Sequence, residues 1–142
     1  FLISLNAGVN VKSLSSVASG GELSRVMLAL RNIFSRFRGF STLVLDEIDM
    51  GLGGVSAAAV GKKLREITAH RQILCITHQA TIAALADSHF LIRKQTCGNE
   101  TKTAVTQAEG NDRVEEIMRM LAGMEATDET RILAESLLKQ VN

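Results

Sequence analysis

Two apolar runs each end in residues able to do chemistry. TLVLDE ends in Asp46 and Glu47, and QILCITH ends in Thr77 and His78. An aspartate at a strand end can help hold a divalent cation, and a glutamate beside it can polarise an attacking water. A histidine in the same place can bond a phosphate or that water. Each also has an ordinary reading: strand-end acids are often only solvated, and a lone strand-end histidine is more often structural than functional. The residues after the acids, IDMGLGG, add Asp49 and three glycines at 51, 53 and 54 in a turn that no packing need explains.

A third stretch is ASGGE, residues 18–22, in front of the amphipathic run ELSRVMLALRNIF. Ser19 and Glu22 have the spacing of a capping box, in which serine accepts from a free amide and glutamate reaches back. That accounts for neither Gly20 nor Gly21, since each glycine costs a helix about 1 kcal/mol relative to alanine. Bare backbone at a helix start makes sense where an anion must approach the amides closely, and a phosphate is the natural candidate.

Elements must bring these residues together. Leu23, Val26, Met27, Leu30, Ile33, Phe34 and Phe37 recur at the spacing of one helix face, ending near Gly39. TLVLDE reads as a strand buried on both faces. A second helix is expected at about 55–69 with Val60, Leu64 and Ile67 inward, then QILCIT as a buried strand, QATIAALA as a short helix and HFLIRKQ as a third strand. TCGNET reads as a hairpin turn into TKTAVTQ, and helices at 112–122 and 128–140 close the chain, the last capped by Thr127 with Asp128 and Glu129 in its first turn. Strand, helix, strand, helix, strand predicts an α/β fold with a mostly parallel sheet flanked by helices. Ligands of such sheets bind beyond the carboxyl ends of the strands. Asp46, Glu47 and His78 therefore converge on one edge.

Composition narrows the class. The 142 residues suit one domain, 46% of them are hydrophobic, and 16 basic against 15 acidic residues leave a net charge of +1. That balance announces neither a nucleic-acid nor a membrane surface. No apolar run approaches the ~18 residues of a membrane span, and FLISLNAG lacks the marks of a signal peptide. Cys75 lies inside ILCIT and reads as a small buried hydrophobe, and it forms no CxxC pair with Cys97. A reducing, intracellular setting fits. The start at Phe1, within what reads as a strand, suggests a piece of something longer.

Taken in order, these stretches resemble the ABC-type ATPases. ASGGE is similar to their signature motif, TLVLDE to their Walker B strand, IDMGLGG to their D-loop and ITH to their switch histidine. SLNAG, VASGGELSRVMLALR, LVLDEIDMGLGG, ITHQATIAALADSHFLIRK and RVEEIMRMLAG together resemble the SMC-like RecN family of bacterial DNA repair proteins over nearly the whole chain. Gln79-Ala80 departs from the Leu-Pro more often found there, a departure that falls on none of the positions given a role. A P-loop, GxxxxGK[ST], is missing: the near-match from Gly54 to Lys63 has six residues between its glycines, ends in lysine and sits in a helix pattern.

The resemblance implies that residues 1–142 form one partial domain, the C-terminal lobe of an ATPase head, with a β-hairpin and two closing helices at its end. It implies ATP and Mg2+ as cofactors, Glu47 and His78 as catalytic residues, and Asp46 toward the metal. Ser19, Gly20, Gly21, Glu22 and Asp49 would bind nucleotide, the signature residues facing ATP held by a second copy of the head. Hydrolysis would be coupled to DNA double-strand break repair and recombination, in the bacterial cytoplasm at the nucleoid. DNA and a recombinase are the other candidate partners, and no membrane is implied. Alone, the chain is expected to be inactive for want of a P-loop. A head lobe of another SMC-like or RecF-like ATPase, or a non-catalytic interaction module, stays open as an alternative.

Overall fold

The computed structural model describes residues 2–4, 10–13, 26, 29, 41–69, 71–97, 100–123 and 125–140. The signature stretch 18–22 lies outside them. So does the helix expected after it, apart from Val26 and Ala29, which are both helical. Two short strands, β1 (Leu2–Ile3) and β2 (Lys12–Ser13), pair antiparallel.

β3 (Thr42–Asp46), α1 (Gly54–Thr68) and β4 (Gln72–Ile76) form a strand–helix–strand unit. The two strands run parallel, in a register that opposes Thr42 to Gln72 and Asp46 to Ile76. Successive strand side chains point to opposite faces. One face carries Leu43, Leu45, Ile73 and Cys75, which pack with Ala57, Val60, Leu64 and Ile67 of α1. Ile48, just past β3, is fully buried in this core, which favours the fold by about 1.5–3 kcal/mol. The inward set expected for α1 is present, and Gly61 is buried with it. Gly61, Lys62 and Lys63 stand inside this helix, so the rejected P-loop match has no loop.

The expectation of burial on both faces is corrected. Val44, Leu74 and Ile76 on the other face are 59%, 50% and 53% exposed. A run of apolar residues shows that both faces want cover; it does not supply the cover.

After β4 the chain makes the short helix α2 (Ala80–Ala83), then β5 (His89–Cys97) and β6 (Glu100–Ala108), and closes with α3 (Gly110–Ala122) and α4 (Asp128–Lys139). β5 and β6 form the expected hairpin, antiparallel from His89 opposite Ala108 to Cys97 opposite Glu100. Here too an expectation is corrected. Among the described residues β5 pairs with β6 alone and does not join β3 and β4, so the only parallel pair is β3–β4. Periodicity specifies which face of a strand is apolar, not which strand lies beside it.

A second core joins Ala80, Ala83 and Ala84 to Ile117 and Met118 of α3 and Ala134 of α4. α2 links the two cores, since its Ile82 belongs to the first. Thr127 caps α4 as expected: its hydroxyl accepts from the Thr130 amide at 3.3 Å, and Thr130 returns the bond to the Thr127 amide. Such a cap contributes about 1 kcal/mol.

Candidate functional site

Parallel strands in register end together. Asp46 and Ile76 are partners, so Glu47 and Thr77-His78 leave the sheet side by side at its carboxyl edge. This is the convergence the sequence implied. Asp46 and Glu47 are both exposed there. Glu47 has φ 55, the left-handed region, and is the one non-glycine residue with positive φ among the described residues. A left-handed residue turns the chain sharply, and the turn is held by the Met50 amide, which donates to the Glu47 carbonyl at 3.1 Å. Such conformations cluster where a side chain must be presented at a fixed angle.

Asp49 has a different environment. It is 1% exposed. Its Oδ2 accepts from the Thr77 hydroxyl at 2.5 Å, the His78 amide at 3.0 Å and the Gln79 amide at 3.2 Å. The same oxygen lies 3.1 Å from Nδ1 of His78, whose own side chain is 70% exposed. Burial pushes the Asp49 carboxyl up, but the bonds from Thr77 and from the His78 amide outweigh it and hold the group below the usual range. The loop after β4 thus wraps an anion with its amides and a hydroxyl.

The Gln79-Ala80 departure falls on no position given a role, yet Gln79 contacts one. Its amide donates to Asp49, and its side-chain Nε2 donates to the Leu52 carbonyl at 3.3 Å. Gln79 therefore ties the loop after β4 to the turn after β3. Nothing in the sequence spacing signals a contact between residues 27 apart.

Cys75 packs against the core as a small, partly buried side chain, and its thiol is pushed up to about 11 by burial and by the charges of Asp49 and Asp46. At neutral pH it stays protonated and inert.

A divalent cation would find two exposed carboxylates, Asp46 and Glu47, and no cluster of three ligating side chains among the described residues. That donor set fits Mg2+, which keeps several waters and takes one or two carboxylates plus substrate phosphates. It does not fit a cation needing an all-protein cage. A groove of about 480 Å³ between the hairpin and α3 is lined by Arg93, Thr106, Glu116 and Arg119, among others, and holds none of the nominated residues. Its buried Glu116 is already matched by a forked pair from Arg119, at 2.9 and 2.6 Å.

No protein-family model matches the chain. Among proteins of known name, it is 46% identical over 142 residues to the DNA repair protein RecN of Bacillus subtilis (strain 168), covering 100% of this chain and 25% of that one. It is 50% identical to RecN of Treponema pallidum (strain Nichols) over 87% of this chain and 22% of that one. RecN of Streptomyces coelicolor is 38% identical over 97% of this chain and 24% of its own length. The chain thus spans about a quarter of the length of these relatives. A solved chain, from work on the structural biochemistry of ATP-driven dimerization and DNA-stimulated activation of SMC ATPases, superposes with TM-score 0.53 at 23% identity. It covers 81% of this chain and 68% of that one, a likeness of fold.

Proposed function

We propose, from the fact that the chain belongs to the RecN family of bacterial DNA repair proteins, that it is the part of an ATPase head that supplies the hydrolytic edge of a nucleotide site. The observation that carries the reading is the β3–β4 register, which sets Asp46-Glu47 beside Thr77-His78 at one carboxyl edge. In this reading Glu47 accepts the proton of a water that attacks the terminal phosphorus of ATP. The bond to the leaving oxygen breaks, and ADP and phosphate depart. Asp46, with its exposed carboxylate, would position Mg2+ through water, and the ion would supply positive charge to the phosphate. His78 bonds the terminal phosphate or the water. Ser19, Gly20, Gly21 and Glu22 complete the site of a second copy, so that ATP joins two heads. Coupling of that cycle to DNA repair is proposed on the family relationship.

The test uses a full-length protein containing this chain. Glu47→Gln keeps the side-chain shape but cannot take a proton, so it should bind ATP and form head dimers while turnover falls by about 10²–10⁴-fold. The 142-residue chain alone should show no turnover above background. Near-normal turnover by Glu47→Gln would put the base elsewhere, and robust turnover by the isolated chain would sink the split-site reading.

A further inference from the structure

We propose that Asp49 is a positioning residue, which holds the His78 ring with its proton on Nδ1 and leaves Nε2 as the working atom. The resemblance groups Asp49 with residues that touch nucleotide. At 1% exposure it has almost no surface to offer a ligand, and its contacts lie elsewhere. One oxygen, Oδ2, faces the Thr77 hydroxyl, the amides of His78 and Gln79, and Nδ1 of His78.

The first three contacts fix the loop. The fourth selects a tautomer. A carboxylate oxygen 3.1 Å from a ring nitrogen is tolerated when that nitrogen carries hydrogen; two facing lone pairs would repel. The other ring nitrogen has a neighbour of matching sense. Gln79 Nε2 donates to the Leu52 carbonyl, which assigns that amide atom as nitrogen, and it stands 3.5 Å from His78 Nε2. A donor, though a distant one, faces the position where this tautomer has its lone pair. Both neighbours point to hydrogen on Nδ1. In the neutral ring Nε2 then accepts from water, and in the charged ring it donates to a phosphate oxygen.

Thr77 fits the same device. Its hydroxyl donates to Asp49 and accepts from the Gln79 amide at 3.0 Å, so the loop cannot swing without breaking the carboxylate contacts. The turn after β3 and the loop after β4 are thus set by one buried charge. The consequence for turnover rests on the ATPase reading above; the tautomer does not.

The experiment is ring-15N histidine NMR on a full-length protein containing this chain, with the His78 signals assigned by loss in His78→Gln. The parent should show the neutral His78 ring protonated at Nδ1. Asp49→Ala removes the oxygen that faces Nδ1, and it should shift the ring toward the Nε2-protonated form. Its kcat should fall on the order of 10²-fold with KM within about twofold. A parent ring protonated at Nε2 overturns the proposal without any variant, even where Asp49→Ala does not fold. A folded Asp49→Ala protein with tautomer and kcat unchanged overturns it as well. A parent that turns over no ATP refutes the proposed function, while the NMR result still decides the role of Asp49.

Discussion

Glu47 carries two demands at once, a carboxylate at the sheet edge and a backbone at φ 55. For an L-residue with a Cβ the left-handed region costs roughly 1–2 kcal/mol, and the buried neighbours Ile48 and Asp49 hold it there. Glycine escapes that cost. Glu47→Gly should therefore be more stable than Glu47→Ala by about 1 kcal/mol in urea unfolding, although both lack the acid. Equal stabilities would mean that the turn relaxes to negative φ once the carboxylate is gone. TLVLDE announces the acid because an apolar run stops at it. The left-handed turn was not legible, because asparagine or glycine would have signalled it and glutamate does not. Asp49 is nominated from its place in the turn after β3, and its partners are not. Its partners come from residues 28 to 30 positions away, which no local pattern encodes.

Between elements, β5 meets α3 through a histidine. His89 Nδ1 is buried without a hydrogen-bond partner among the described residues. Burial, then the charge of Arg113, holds its pKa below the ordinary 6.5, against a smaller opposing effect of Glu116. In the unfolded chain this ring takes up a proton near 6.5, and in the folded chain it does so only at lower pH. Its contribution is therefore fully present above about 6.5 and is lost as pH falls through the folded value. Glu116, held low by its bond to Arg119, adds a loss of the same sign further into acid. Replacing His89 by Gln should flatten the dependence of urea-unfolding stability on pH just below neutrality and leave the more acidic limb in place. An unchanged slope would assign that limb to other groups. At this scale the sequence was most readable where one element answers its own pattern: α1, the Thr127 cap and the hairpin stand where periodicity and turn chemistry put them. It was least readable where an element needed a neighbour. HFLI is as apolar as ILCI, yet β4 pairs with β3 and β5 with β6.

Across the molecule, two cores share α2, and Arg113 of α3 fastens the chain after it by donating to the carbonyls of Ala84 and Ala86 at 3.1 and 2.5 Å. The α/β class follows from the order of periodic segments, and the fold likeness to an SMC ATPase chain agrees with it. The β3–β4 and β5–β6 sheets nevertheless each keep an exposed apolar face, with Val44, Leu74 and Ile76 on the first and Phe90, Ile92 and Val105 on the second. That feature has a calorimetric consequence. Unfolding raises heat capacity mainly by hydrating apolar surface, by about 12–15 cal/mol/K per residue in ordinary domains, or roughly 1.7–2.1 kcal/mol/K for 142 residues. Side chains already wet in the folded state add little to that increment. Scanning calorimetry of this chain should therefore return a heat-capacity change below the range for its length and a correspondingly broad melt, and a value inside the range would mean that in solution both faces are covered.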